Sequence, residues 1–424
     1  MRTQNQDLKQ VKVDFKLPRI AYILLWFPKP SETFIFREVV NLRILGLPIE
    51  VFTIYGALSR KLSLEMLAYR DVIRLGMSVL KRLPGDIAYW RRKKPELVWE
   101  LFKTVPIRKW KSLEFGGENI IAFLCGFTFA RIFEKEAFDH IHAPWAMGPA
   151  TAAWIASRLT GIPFSFTGRA GDIYPPDGAL KEKIRDSLFV TSDNMINVSY
   201  LNSSSPRAVS KIYGIYNGID SRPFKDAAVA MNPPYQLLAL GRFDRIKGFD
   251  VLLRACGILK KTGFDFHLTL AGDGPRRLQL KYWTYRLGLK NHISYPGFIA
   301  HDRISAFFRS SDIFIMPSVV HKSGDRDGMP TVIMEALLHR LPVISTNVCG
   351  IPEVIINNET GLLVWEKDPL ALADAIRKMT NNRSLALEMA EKGRKLVLEK
   401  FDPATNHGRL FNLFVEKSGR QIRS

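Results

Sequence analysis

Residues 19–55 read RIAYILLWFPKPSETFIFREVVNLRILGLPIEVFTIY. Arg19–Trp26 is a largely apolar run, the pattern of a parallel strand buried on both faces. Pro28 and Pro30 break it. Behind Ser31 a helical period sets Phe34, Val39 and Leu42 on one side, and Ile49–Tyr55 is again strand-like. Strand, helix, strand opens a βαβ unit, so the spacing predicts a doubly wound α/β domain.

The rhythm lapses from about Arg60 to Glu118, a segment rich in Leu, Trp and basic residues. It resumes with a strand at His140–His142, a helix over Ala150–Leu159 and a strand at Pro163–Thr167. A second alternation follows Ser221–Pro234, read as a linker because it holds Pro223, Pro233 and Pro234. Its strands are expected at Gln236–Leu240, Phe266–Ala271, His292–Tyr295, Asp312–Met316, Pro342–Ser345 and Gly361–Val364. Phe249–Lys260 is a helix with Val251, Leu252, Ala255 and Leu259 as its stripe. The organisation expected is a first domain over 1–222 with a basic helical insertion at about 60–118. A second domain covers 223–404, and a terminal segment, 405–424, has a helix over about Thr405–Lys417 that crosses back to brace the first. Ligands then bind in a cleft at the carboxyl ends of the strands.

A chain of 424 residues, 46% hydrophobic, is too long for one comfortable core and long enough for two. Cys125, Cys256 and Cys349 lie far apart, which argues against a disulfide framework or zinc knuckle. The longest apolar stretch, Ile120–Phe133, contains Arg131 and is shorter than the ~20 residues a spanning helix needs. The polar opening Met1–Lys16 lacks the apolar core of a secretory signal, so a cytoplasmic protein is expected. The 61 Lys and Arg against 41 Asp and Glu leave +20, which suggests an anionic partner or surface.

Chemistry concentrates in Asp327-Gly-Met-Pro-Thr-Val-Ile-Met-Glu335. Pro330 favours the first helical position, so the free N–H groups of Met329, Thr331 and Val332 would face a phosphate or a sugar hydroxyl. Asp327 and Glu335 bracket that terminus. Read without a ligand, Asp327 caps the helix and Glu335 is a solvated residue pairing with His339. Arg242 and Lys247, at the end of the Gln236–Leu240 strand, can converge on one diphosphate or simply sit in solvent. Ala271-Gly-Asp-Gly-Pro275 is a tight strand-to-helix turn.

In order, GRFDRIKGFDVLLRA, LTLAGDGPRR, YPGFIAHDRISAFFRSSDIFIMPS, DGMPTVIMEAL and GIPEVIINNETGLLV resemble the second domain of the retaining GT-B glycosyltransferases of family 4. Asn217-Gly-Ile-Asp220 resembles the family's link into that domain. FPKPSETFIFREV resembles the branch that builds exopolysaccharide and colanic-acid-like repeat units. The likeness runs from about Arg19 to Lys378 and implies two Rossmann-like domains facing a cleft. It implies a metal-independent hexosyl- or glycosyltransferase with no cofactor, whose substrate is a UDP-sugar or GDP-sugar and whose acceptor is a glycan or polyprenyl-linked glycan.

Residue by residue, the family's Glu-x7-Glu pair falls on Asp327 and Glu335. Glu335 is then expected on the donor's ribose or nucleotide, and Asp327 on hydroxyls of the transferred sugar, with Gly328, Met329, Pro330 and Thr331 supporting it. Asp327 is one methylene shorter than the family's usual Glu. Arg242 and Lys247 match the diphosphate clamp, where they would stabilise charge developing on the leaving group, and Glu353 of GIPE matches a position near the donor. The family's His-x-His places His142 near the anomeric centre, with Pro144 in place of the second His. A packed structural histidine is the other reading of His142. Arg169 and Asp172 are candidates for acceptor hydroxyls or a phosphate, with an Asp172 turn cap as the alternative. Glu32 is a candidate at the cleft floor, or a capping-type residue behind Ser31. Retention is expected by a front-face route, with the departing phosphate as base.

Between Lys81 and Lys111 lie ten Lys and Arg against Asp86, Glu96 and Glu100, interleaved with Trp90, Trp99, Phe102 and Trp110. Such helices suit an anionic inner-membrane surface, or else form a solvated insertion whose tryptophans pack on the core. No run of nucleic-acid-binding type accompanies the charge, so no nucleic-acid partner is expected. A nucleotide-sugar epimerase of the same fold, or a basic nucleic-acid- or membrane-binding protein with a degenerate donor site, is the competing function.

Overall fold

The computed structural model describes residues 15–57, 62–105, 113–174, 178–221 and 231–421. Two parallel sheets organise it. The first holds β1 (Ile20–Leu24), β2 (Ile49–Thr53), β3 (Val72–Arg74), β4 (His140–Ala143), β5 (Phe164–Gly168), β6 (Phe189–Ser192) and β7 (Ile212–Gly214), ordered β3-β2-β1-β4-β5-β6-β7. The second holds β8 (Tyr235–Leu240), β9 (Phe266–Ala271), β10 (Ile293–Ser294), β11 (Ile313–Met316), β12 (Val343–Thr346) and β13 (Leu362–Val364), ordered β10-β9-β8-β11-β12-β13. Each order reverses beside its first strand, which opens a crevice at the carboxyl edge.

The central strands are buried on both faces, as their apolar runs require: β1, β4, β5, β6, β11 and β12 expose no residue. Two helices cover one face of the first sheet. One is α1 (Thr33–Ile44); the other comes from the far end of the chain. The remaining helices used below are α2 (Ser78–Lys93), α3 (Pro95–Thr104), α4 (Leu113–Glu136), α5 (Gly148–Thr160), α6 (Met195–Ser204), α7 (Phe249–Lys261), α8 (Thr331–Leu338) and α9 (Pro403–Ser418). It is α9 that returns to the first domain, packing on α1 and burying Leu410, Leu413 and Phe414 against Tyr22, Val39 and Phe189. A two-residue antiparallel ladder between Phe15–Lys16 and Arg420–Gln421 closes the same return. Helices α4 and α5 pack together over the opposite face.

The interval 60–118 is less of an interruption than its composition predicts. Val72–Arg74 adds β3 at the sheet edge; three residues are too few to show a period. Trp90 is fully buried and donates from Nε1 to the Phe127 carbonyl (3.2 Å), whereas Trp99 is 64% exposed with the Lys103 ammonium 4.8 Å from its ring. Arg108, Lys109, Trp110 and Lys111 lie outside the described residues, as does most of the expected linker, 222–230, with the boundary drawn there. Among the described residues no helix is long and apolar enough to cross a membrane.

The ring of Phe414 is fully buried, 5.2 Å from His142, 5.5 Å from Phe189 and 5.6 Å from His140. Phe414→Ala is expected to cost ~3–5 kcal/mol by the cavity it leaves, read as a lower urea midpoint for the first domain. A loss under ~1 kcal/mol would mean that α9 is peripheral to that core.

Candidate active site

A cleft of about 1660 Å³ lies between the domains and takes its lining from both. On the second-domain side, two turns must approach closely. At Gly272 (φ +141°) a Cβ would stand 1.9 Å from the Gly241 carbonyl oxygen, and at Gly248 (φ +63°) a Cβ would stand 1.9 Å from that of Pro317. Those turns set Arg242 and Lys247 at the mouth of β8. Lys247 Nζ pairs with Asp327 Oδ1 at 2.9 Å, and Asp327 Oδ2 accepts from Ser318 Oγ at 2.6 Å. Arg242 pairs with Asp244 and keeps 67% of its side chain exposed.

Helix α8 begins beside them. Pro330 occupies the cap position, one residue ahead of the expected first helical position, and no side chain caps the helix. Gly328, Met329, Pro330, Thr331 and Val332 line the cleft there. Glu335, one turn on, is buried rather than solvated. Its Oε1 lies 3.7 Å from His301 Nδ1, and its Oε2 has no hydrogen-bond partner. Burial raises its pKa, against the pull of His301. His339 instead bonds the Glu335 backbone carbonyl (2.9 Å) and Ser305 (2.8 Å).

On the first-domain side Glu32 lines the cleft at the start of α1, receiving Lys29 Nζ (2.5 Å) and Trp145 Nε1 (3.3 Å). Arg169 also borders it, though its guanidinium is committed within the protein: to Asn217 Oδ1 (2.7 Å), Asp193 Oδ2 (3.1 Å) and the Pro144 carbonyl (3.2 Å), with Glu38 Oε2 at 3.7 Å. Asp172 takes its capping reading. It accepts from the backbone N–H of Arg169 (2.6 Å) and of Ala146, and burial pushes its pKa up to about 8.

His142 is not in the cleft. It is fully buried, with Tyr22 of β1 and Ser165 of β5 as its cross-strand neighbours. Its Nδ1 shares a 2.7 Å hydrogen bond with Ser165 Oγ, as does His140 Nε2, and Phe414 of α9 closes over both rings. Residues two apart on a strand share a face, and here α9 covers that face. The expectation that His142 lines the cleft is therefore replaced by its packed, structural alternative.

The model of the glycosyl transferases group 1 family matches residues 221–396. Over 398 residues the chain is 32% identical to the amylovoran biosynthesis glycosyltransferase AmsK of Erwinia amylovora, covering 91% of this chain and 96% of that one. The chain belongs to the group 1 glycosyltransferases. It is also 26% identical over 418 residues to the putative colanic acid biosynthesis glycosyltransferase WcaL of Salmonella typhimurium, covering 93% of this chain and 99% of its relative. Among solved structures, HepE of Anabaena in complex with UDP and glucose shares the GT-B fold at a TM-score of 0.69 and 16% identity, over 94% of this chain and 100% of that one.

Glu353 of this glycosyltransferase is not brought to the cleft. Its Oε1 accepts from the backbone N–H groups of Met195 (2.8 Å) and Ile196 (3.3 Å) at the start of α6, and its Oε2 from the Tyr216 hydroxyl (2.7 Å). It thus ties the second domain to a helix N-terminus of the first. Several cleft residues were not anticipated: His301, Asp325, Asp193, Glu118 and Trp145. Asp325 follows the single turn glycine Gly324, and burial together with Asp244 and Asp327 pushes its pKa up to about 6. Trp145 stands two residues past a strand end, the one signal that was available for it. Among the described residues, no group of three or more His, Cys, Asp or Glu is arranged to hold a metal ion.

Three histidines are held neutral where α9 packs on the first domain, His140 and His142 beneath it and His407 within it. Burial lowers His140 to about 3, His407 to about 4, and His142 well below the ordinary 6.5. Below pH 6.5 the unfolded chain binds more protons than the folded one, so stability rises with pH there. Each histidine is expected to cost up to ~2 kcal/mol by pH 5. Melting temperature should fall steadily from pH 7 to pH 5 and fall less in His407→Gln; a flat profile would contradict the burial.

Proposed function

We propose that this glycosyltransferase transfers a sugar, with retention at its anomeric carbon, from a nucleoside-diphosphate donor to a glycan or polyprenyl-linked glycan during assembly of a surface polysaccharide. The observation that carries the donor half is Glu335: a buried carboxylate with an unpartnered oxygen, one turn inside an uncapped helix N-terminus, in the cleft that Arg242 and Lys247 also line. An orphaned buried acceptor is costly, and a ribose hydroxyl donating to Oε2 removes that cost. The pathway is supported by the names of AmsK and WcaL, and a UDP-type donor by the ligands of HepE; GDP remains the other donor class in this reading.

The residues divide the work. Lys247 and Arg242 exchange part of their pairing with Asp327 and Asp244 for the diphosphate, and stabilise the charge that grows on it as the C1–O bond breaks. The free N–H groups at the start of α8 favour the same charge. Asp327 has both oxygens engaged by Lys247 and Ser318, so it aims the ammonium and does not reach the sugar directly. His142, sealed in the core, does not serve as base. The acceptor hydroxyl passes its proton to a departing phosphate oxygen while its own oxygen bonds to C1 on the same face. No metal enters this scheme, because the cations neutralise the leaving group.

The exposed Arg91, Arg92 and Lys93 on α2 and the exposed Trp99 on α3 support peripheral binding to an anionic inner-membrane surface from the cytoplasmic side. Changing Arg91, Arg92, Lys93 and Lys94 together to Gln should abolish most binding to vesicles containing phosphatidylglycerol; undiminished binding would refute this surface.

Thermal-shift titration with UDP, GDP and ADP, in EDTA throughout, tests the donor site. One diphosphate at ~100 times its dissociation constant should stabilise the fold by about 2.7 kcal/mol, a rise of several degrees. The shift should shrink at least ~10-fold in affinity for Arg242→Ala and Glu335→Gln. A response to none of the three diphosphates would sink the donor reading.

A further inference from the structure

Three buried ionisable groups converge on one turn. Pro144–Met147 connects β4 to α5 at the carboxyl edge of the first sheet. Arg169 donates to the Pro144 carbonyl (3.2 Å), Asp172 accepts from the Ala146 N–H, and Lys183 Nζ donates to the carbonyls of Ala146 (2.7 Å) and Met147 (3.3 Å). Lys183 is fully buried; Asp172 and Arg169 are 3% and 4% exposed. Buried charge is tolerated only where hydrogen bonds satisfy it. Three such groups on four consecutive residues is more than a connection between a strand and a helix requires. Together they immobilise the backbone that carries Trp145, as a binding site needs.

Trp145 is half-buried and lines the cleft. Its indole N–H is tied to Glu32 Oε2 (3.3 Å), which fixes the ring about its χ angles, and Phe34 stands beside it at 6.2 Å and 66°. Glu32 holds Lys29 on its other oxygen (2.5 Å). A carboxylate has about four lone-pair sites, and two are used here. All four side chains line the cleft from the first domain, and the donor groups of α8 and β8 line it from the second. A fixed aromatic face with an unsaturated carboxylate and an ammonium at its edge is the chemistry that takes a pyranose: ring C–H bonds against the indole, hydroxyls to Glu32 and Lys29.

We propose that Trp145, Phe34, Glu32 and Lys29 form a pyranose-binding platform, held rigid by Arg169, Asp172 and Lys183, that receives the terminal sugar of the acceptor. Its assignment to the acceptor rests on the transferase reading above; the platform itself does not. The substrate accepted is then a chain already ending in a sugar, not a bare lipid phosphate, and an earlier sugar transfer must supply it. Arg169, Asp172 and Lys183 are positioning residues.

Saturation-transfer NMR on the full chain tests this, using methyl β-glucopyranoside, methyl β-galactopyranoside, methyl α-mannopyranoside and methyl α-fucopyranoside at millimolar concentration. At least one should receive saturation at its ring C–H protons. Trp145→Ala should weaken it by ~10-fold or more and Trp145→Phe by no more than ~3-fold. Lys183→Met should weaken it while the thermal shift by UDP or GDP stays that of wild type in all three variants. Silence from all four pyranosides beside an intact diphosphate shift would overturn the platform, as would wild-type binding in Trp145→Ala. Pyranoside binding with no diphosphate response would uphold the platform and overturn the donor reading instead; loss of both in the wild type would overturn both.

Discussion

A parallel sheet leaves no face to water, and in this chain that constraint is met from the far end of the sequence. The first domain has α4 and α5 for one face of its sheet, and α1 with Met66 for part of the other. The rest is covered by α9, which enters after the second domain is complete. Phe414 fills the space over β4 and β6, and the hydrogen bond between Ser418 and His140 (3.0 Å) joins helix to strand. Because the covering helix belongs to the other end of the chain, the core of the first domain and the relation between the domains are one packing problem. The cleft inherits its shape from that solution.

Cations that would otherwise repel one another at the cleft mouth are each paired with a carboxylate at hand, Lys247 with Asp327 and Arg242 with Asp244. The Arg242 pair is exposed enough to reopen at little cost, whereas Lys247 and Asp327 are mostly buried. Glu335 differs: it is buried, its pKa is raised, and one oxygen lacks a partner. That oxygen is where the proposed donor's hydroxyl would find its acceptor.

Deeper charges serve as framework. Arg169 gathers Asp193, Asn217, Glu38 and the Pro144 carbonyl, and its guanidinium lies 4.5 Å from the Phe34 ring. Glu353 caps the first turn of α6 across the domain boundary, beside close approaches of Gly350 and Gly328 to Asn194 and Ala170. Motif residues therefore split into those that face the cleft and those that hold its walls, and residue type alone does not separate them.

The alternation of apolar runs with helical stripes was enough to establish two parallel-sheet domains, because periodicity is a local property of the chain. The turns with Gly248 and Gly272 and the bracketed helix at Asp327–Glu335 were legible for the same reason: each is a short segment whose backbone demands appear in its own residues. The edge strand Val72–Arg74 was too short to announce itself. What tertiary structure alone decided is which way the polar residues look. His142 and Glu353 sit in motifs that point to a cleft, yet one is sealed by a helix some 270 residues later and the other is drawn to the N–H groups of α6. Trp145 carried no motif and was placed at the cleft by Arg169, Asp172 and Lys183, residues 24 to 38 positions away along the chain. Burial and hydrogen-bond partners are set by what arrives from elsewhere in the chain, and no window of sequence contains them.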